Sequence, residues 1–385
     1  MLRSIRIKNF KSLKDVRFEI PDFAVLVGYN GSGKTNFVNA LHLISLLAKS
    51  EKIEDALLSL SLLSRELLYN PDDNKIEFSF DLVINGSPIN YSFTIERIHK
   101  EGRIGYEITH EELLNGTKDK PILQRTQKQI RFGVENENPQ EIQLVANQLA
   151  LSLIEKPQII QETKNILSSI TISELGSEYL RRWGVSSNLE SNIPRTLAES
   201  LFDLKQKKLG VFEEFLKESK RIIPDLMDIE IEQVKDNRLM LRFKEKVDGG
   251  RVFTSFSASD GNLRTLAILN SLFSEPRPSV LVIDEVENSF HPARIQALLK
   301  VMSYIASIEA GKLQIIVTTH SPVVLNYVNS DEIVYVFKKD GATEIVNPYK
   351  NKSVKKHLEM SAEGGTKLGE LFSNGLLEEI FTSGN

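Results

Sequence analysis

The feature that most restricts the fold is the octapeptide Gly28-Tyr29-Asn30-Gly31-Ser32-Gly33-Lys34-Thr35, taken with what flanks it. Ahead of it runs Ala24-Val25-Leu26-Val27, an unbroken apolar stretch typical of strands buried on both faces. Behind it, Phe37, Leu41, Ile44 and Ala48 recur at helical spacing. Strand, glycine loop and helix make the first half of a βα unit, and GxxxxGK[ST] in that setting is a phosphate loop. The glycines let backbone N–H groups turn inward around phosphate oxygens, and the helix N-terminus adds positive partial charge. Asn30, Gly31, Ser32, Gly33, Lys34, Thr35 and Asn36 are therefore predicted to line a nucleoside triphosphate, with ATP and Mg²⁺ as the expected ligands. Lys34 is placed to reach the β- and γ-phosphates and the Thr35 hydroxyl to ligate Mg²⁺. The bland alternative is a glycine-rich turn, but at ordinary glycine usage the full pattern arises by chance in about one chain in a hundred of this length.

Two further segments suit the same chemistry. Val280-Leu281-Val282-Ile283-Asp284-Glu285 puts two acids at the C-terminal end of a buried strand, where open parallel sheets bind ligands. Asp284 is expected in the Mg²⁺ shell and Glu285 as the general base for water. Helix capping is the competing account, helped by Pro292 at a first-turn position. Ile315-Ile316-Val317-Thr318-Thr319-His320-Ser321-Pro322 ends the next predicted strand in His320, placed to bond the γ-phosphate or the attacking water. A fourth segment, Phe256-Ser257-Ala258-Ser259-Asp260-Gly261-Asn262, precedes a helix. It reads either as an N-cap or as a second helix N-terminus that clamps phosphate.

The rest of the chain supplies a scaffold. Ile5/Ile7 and Val16/Phe18/Ile20 alternate as strands with one wet face, and Ala56–Leu68 reads as a leucine-rich helix. Ile76 to Ile84 and Ile89 to Ile95 form a hairpin around Asn85-Gly86, with Tyr106 and Ile108 in a third strand. Residues 140–223 look mainly helical, strands resume at Ile229–Val234, Leu239–Phe243 and Val252–Phe256, and the final third alternates helix with strand. Such alternation implies a parallel sheet with helices on both faces. The predicted class is α/β: one composite domain over 1–385, with an inserted antiparallel sheet at 75–132 and a helical lobe at 140–225.

Net charge is −4, so no global field recruits nucleic acid or anionic lipid. Cysteine is absent, which excludes disulfides, thiolate metal sites and a cysteine nucleophile. The N-terminus has no signal-peptide pattern and no apolar run spans a bilayer, so a cytoplasmic protein without a membrane partner is expected. The basic clusters Lys205–Lys208 and Lys350–Lys356 read as solvated faces, and Arg181-Arg182-Trp183 as a half-buried tryptophan with flanking surface arginines.

Taken in chain order (the phosphate loop at 28–35, Ser259-Asp260-Gly261, Asp284-Glu285, then His320), the four motifs resemble the ATPase head of ABC transporters, SMC proteins and RecF, and among these the OLD-like ATPases. The OLD-like flavour lies in Asn9-Phe10-Lys11-Ser12-Leu13, in Glu285-Val286-Glu287-Asn288 with His291-Pro292, and in Leu368-Gly369-Glu370-Leu371. The resemblance implies a homodimer or higher oligomer in which Ser259 and Gly261 of one copy contact the γ-phosphate held by Lys34 of the other. Residues Glu287 to His291 would couple the two sites. The segment reads Ala258-Ser259-Asp260-Gly261-Asn262 where transporters carry LSGGQ, and Gln124, Gln127, Gln129 and Gln143 all compete for the usual Q-loop position. About forty residues follow the last strong strand, too few for the C-terminal nuclease of full-length OLD proteins. The expected activity is Mg²⁺-dependent ATP hydrolysis that gates a separate effector protein, in anti-phage defence. The alternative is a RecF-like repair ATPase clamping DNA, with nucleic acid as its partner.

Overall fold

The computed structural model describes residues 1–62, 66–100, 103–116, 121–126, 129–133, 140–142, 145–173, 180–182, 184–185, 196–234, 237–246, 250–288, 290–350, 352–363, 366–376 and 379. A six-stranded sheet lies at the centre, in the order Thr171–Ser173, Val280–Ile283, Gln314–Thr319, Phe23–Val27, Ile333–Lys339, Ala342–Val346. All of its pairings are parallel except the last, a hairpin turned through Asp340-Gly341. The chain is thus the mixed α/β fold that its strand and helix alternation implies.

The apolar runs are explained by what lies on each face. Ala24, Leu26, Val280, Val282 and Ile316 point into one core with the antiparallel sheet and the helix Lys34–Ala48. Phe23, Val25, Leu281, Ile283, Ile315 and Val317 point into another, shared with the helical lobe. Every residue of Phe23–Val27 and Val280–Ile283 is buried. A strand covered on both sides has no wet face and so cannot alternate.

The antiparallel sheet has eight strands and is larger than the hairpin pattern alone implies. The N-terminal strand Leu2–Phe10 pairs with Lys75–Ile84, so the opening hairpin belongs to the same sheet as the Asn85-Gly86 hairpin. At its far end Glu111 and Arg125 are fully buried, and burial pushes the Glu111 carboxyl up. Glu111 accepts from the N–H groups of Ala150 and Leu151 (both 2.7 Å) and from Tyr91 Oη, and Arg125 donates to the carbonyls of Val145 and Gln148. This network pins the chain where it leaves the sheet for the helical lobe.

Several local expectations give way. The helix expected over Ala56–Leu68 is Ile53–Ser59; Ser61 adopts φ +52°, and Leu68 bridges to Phe10 instead. The apolar residues there serve two elements, which a single helical stripe cannot show. Within the stretch read as helical, Thr171–Ser173 is a strand at the edge of the parallel sheet. Three residues are too few to display a period. In the final third, the connection between the strands Gln314–Thr319 and Ile333–Lys339 holds only 3₁₀ turns, Val324–Tyr327 and Ser330–Glu332, where the helix–strand alternation implies a helix. No helix among the described residues is long and apolar enough to cross a membrane.

Candidate nucleotide site

The parallel sheet brings three of the predicted segments to one end. Val27 pairs with Thr319, and Val317 pairs with Ile283, so the phosphate loop, His320 and Asp284-Glu285 leave three adjacent strands at the same edge. The Gly28 N–H also donates to the Thr319 carbonyl (3.4 Å).

The loop is held from behind. Gly33 caps the helix Lys34–Ala48 at φ +110°, a conformation that favours glycine. A Cβ there would lie 2.0 Å from Thr343 Oγ1. Thr343 donates to the Ser32 carbonyl (2.9 Å) and shares a hydrogen bond with Ser12 Oγ (2.7 Å), which also accepts from Asn36 Nδ2 (2.7 Å). Asn36 is thus committed to the rear of the loop. Ser12 is delivered by a tight turn, with Asn9 and Lys11 both at positive φ and the Asn9 amide bonded to the carbonyls of Asp73 and Lys75. Asn30, Gly31 and Thr35 are exposed at the front, and no atom lies within 4 Å of a Cβ built at Gly31.

Lys34 folds back over the loop, donating to the carbonyls of Gly28 (2.6 Å) and Tyr29 (3.0 Å). Burial lowers its pKa, opposed by Asp284, Glu287 and Glu285. Asp284 shows the complementary perturbation: burial raises its carboxyl above the usual range, opposed first by the Thr318 hydrogen bond. Thr318 Oγ1 bonds Asp284 Oδ1 and accepts from the Glu285 N–H (2.9 Å), fixing the turn that carries both acids. Glu285 itself sits at φ +49°, a strained conformation for a branched-free acid that concentrates at functional sites. Its carboxylate accepts from Asn288 Nδ2 (2.6 Å).

His320 is tied to Glu287, an acid assigned by the resemblance to the coupling loop. Glu287 Oε1 accepts from the His320 N–H (2.7 Å) and lies 2.9 Å from Nδ1. The backbone hydrogen bond fixes Glu287 beside the ring, but Nδ1 itself makes no hydrogen bond, so the carboxylate acts on the imidazole as a neighbouring charge. The two residues are 33 positions apart, and the only clue in the sequence is an acid two places beyond Glu285.

Ser259 and Gly261 open the helix Asp260–Phe273, with Ser259 Oγ capping the Asn262 N–H (3.2 Å). Ser259 is exposed and Gly261 buried. The surface role expected of Arg181 is overturned, since its guanidinium binds the carbonyls of Ser255, Phe256 and Ala258 and the Asp260 carboxylate. Trp183 lies outside the described residues. Of the glutamine candidates, Gln124 lies in the strand Pro121–Arg125 of the antiparallel sheet, Gln129 lies in the connection just before the strand Ile130–Phe132, and Gln127 and Gln143 lie outside the described residues. The basic runs lie at the surface as expected, with the exposed side chains of Lys207, Lys208 and Lys350 paired to Asp203, Glu275 and Glu19.

The C-terminal helix Leu368–Ser373 reaches the same end. Phe372 stacks on Tyr29 at 4.8 Å, its carbonyl accepts from Tyr29 Oη (2.6 Å), and a Cβ on Gly369 would strike the Pro322 carbonyl at 2.3 Å. The Leu368-Gly369-Glu370-Leu371 pattern therefore marks a docked helix whose glycine permits close approach to the loop after His320.

These groups fit a magnesium nucleotide. Ser32 Oγ is buried with no hydrogen-bond partner, inside a loop whose front is open. A buried ammonium parked on carbonyls and a carboxyl held above its usual range both gain from added charge of the opposite sign. Among the described residues no group of three or more acids and histidines forms a metal cage. Mg²⁺ suits such a site, because it takes one or two protein oxygens and draws the rest from phosphates and water.

Comparison with known proteins agrees with this geometry. A crystal structure of the SmcHead bound to the C-winged helix domain of ScpA superposes with a TM-score of 0.58 at 16% identity, covering 92% of this chain and 99% of that one. A Smc head with an extended coiled coil, bound to the C-terminal domain of ScpA from Pyrococcus furiosus, gives 0.54 at 13% identity, covering 94% and 99%. At those identities the likeness is of fold alone. The chromosome partition protein Smc of Methanocaldococcus jannaschii is 25% identical over 301 residues, which are 75% of this chain. This chain spans only 22% of that relative's length. The family model described as "AAA domain, putative AbiEii toxin, Type IV TA system" matches residues 23–326, a span that contains the phosphate loop, Ser259, Asp284-Glu285 and His320. The chain belongs to that AAA-domain family, as an ATPase domain built like an SMC head.

Proposed function

We propose that the protein hydrolyses MgATP at a site completed by a second copy, and that the cycle gates a separate effector. The observation that carries this reading is the strand register, which supports a shared role for Lys34, Asp284, Glu285 and His320 at one sheet edge. Thr35 and Asp284 would hold Mg²⁺, which neutralises phosphate charge when bound. Lys34 would leave the Gly28 and Tyr29 carbonyls for the β- and γ-phosphates. Glu285, released from Asn288, would orient water and take its proton. His320, with the Glu287 carboxylate beside it, would hold the γ-phosphate through Nε2. Ser259 and Gly261 would reach the nucleotide of the other copy.

The OLD-like assignment, with a role in anti-phage defence, rests on the sequence resemblance, and the AbiEii-type family description is in keeping with a defence setting. A protein partner is favoured by the SMC heads, whose solved structures carry a domain of ScpA. The second reading, a RecF-like clamp on DNA, draws on the likeness to a chromosome partition protein.

Glu285→Gln separates the readings. It is expected to bind MgATP and turn over at least about 100-fold more slowly than the parent, the usual size of a lost general base. Turnover unchanged by the substitution would refute hydrolysis through Glu285. Purified with ATP from its native host, the variant should carry a stoichiometric protein and no nucleic acid. Bound DNA without a protein would establish the clamp instead.

A further inference from the structure

We infer that Arg181 is a positioning residue for the Ser259–Gly261 turn, holding it in the geometry in which it docks on the nucleotide of a second copy. The inference rests on the shared-site reading above and adds the part that prepares the donor half of the site.

Arg181 is reached through the short segment Leu180–Arg182, beside the strand Gly184–Val185, and its side chain is three-quarters covered. Nη1 donates to the Ser255 carbonyl (2.8 Å) and the Phe256 carbonyl (2.8 Å). Nη2 donates to the Ala258 carbonyl (2.9 Å) and to Asp260 Oδ1 (2.5 Å). One guanidinium thus gathers three backbone carbonyls and one carboxylate from six consecutive residues. A planar fork of donors suits this and a lysine ammonium does not. The turn needs such a fastening, since Phe256, Ser257, Ser259 and Asp260 are all exposed and contribute little burial of their own. Only Ser255 and Ala258 anchor it from below.

The other flank of the first helical turn is fixed separately, Arg294 Nη1 donating to Asn262 Oδ1 (2.9 Å). Arg294 leads from the helix Pro292–Ile308, which follows the Asp284-Glu285 turn. The free surface between these supports is the Ser259 hydroxyl and the start of the helix Asp260–Phe273. A docking element ordered before its partner arrives loses less freedom on binding, so the expense of ordering falls on folding rather than on assembly. Arg181 touches no group of the phosphate loop in its own copy, so its effect is confined to the donor side.

The test uses the full chain in the Glu285→Gln background, which retains ATP. Self-association is followed by analytical ultracentrifugation with and without MgATP, and ATP binding to the dilute single copy by a fluorescent ATP analogue. Adding Arg181→Ala is expected to weaken ATP-driven association by about tenfold or more, the effect of leaving several interface groups unordered. The affinity of the single copy for the analogue should stay within about twofold, as for independent sites. Arg181→Lys keeps the charge but not the fork and should fall between the two. Amide exchange over residues 255–262 should quicken in both Arg181 variants, while the melting temperature guards against general unfolding. A purely structural role would lower stability and analogue binding together. If Glu285→Gln/Arg181→Ala associates as tightly as Glu285→Gln, the positioning role is overturned. If Glu285→Gln binds ATP yet does not self-associate, the shared-site reading fails first and Arg181 has nothing to position.

Discussion

Gly33 and Thr343 are 310 positions apart, and their contact gives a number that can be checked. A Cβ at Gly33 would meet Thr343 Oγ1 at 2.0 Å and its Cγ2 at 2.8 Å, and the backbone there has φ +110°. Gly33→Ala carries a strain of about 1–2 kcal/mol from the left-handed backbone. It also expels the Thr343 hydroxyl, whose hydrogen bonds to the Ser32 carbonyl and Ser12 Oγ are worth about 1 kcal/mol each. The single variant should therefore lose about 3–4 kcal/mol. Thr343→Ala forfeits the same two hydrogen bonds, about 2 kcal/mol, without the strain. In the double variant those bonds are lost only once, so the total should again be about 3–4 kcal/mol, against about 5–6 if the effects were independent. Urea unfolding of the four proteins without nucleotide, with equal m-values, measures this cycle. Additivity within about 0.5 kcal/mol would refute the claim that Thr343 sets the glycine requirement.

Asp284→Asn should raise the melting temperature of the nucleotide-free protein by roughly 1–3 °C, the shift for about 1 kcal/mol in a large domain, while abolishing the further gain from MgATP. The sign follows from linkage. A carboxyl raised above its unfolded value contributes stability that is fully present below the unfolded pKa and is lost as pH rises through the folded one. The variant should therefore show a flatter stability profile across the acid range, and an unchanged profile would contradict the assignment. Phe372→Ala, which removes the stack on Tyr29 and a side chain only 2% exposed, should undock the C-terminal helix and weaken ATP binding several-fold. Tyr29→Phe, losing one hydrogen bond worth about 1 kcal/mol, should have the smaller effect; equal effects in equilibrium binding would deny the stack its role.

The candidate site was legible because each of its parts is contiguous. Val25–Val27 with Gly28–Thr35, Ile283 with Asp284-Glu285, and Val317 with His320 each join a buried strand to the groups at its tip. A strand covered on both faces declares itself by composition, and the residue after it must emerge at the sheet edge. Periodicity likewise exposed the Asn85-Gly86 hairpin and the later helices. It failed at Thr171–Ser173, too short to show a period, and beyond Ser59, where leucines serve two elements.

Tertiary structure alone decided what steadies the site. Thr343 behind Gly33, Glu287 beneath His320, Arg181 across the turn before Asp260, and Phe372 on Tyr29 are pairs of ordinary residues without local pattern. Their partners are chosen by strand order and by the docking of helices. Contacts so distant in sequence leave no mark on local propensity, because the partner is supplied by the fold and not by the residues next to it in the chain.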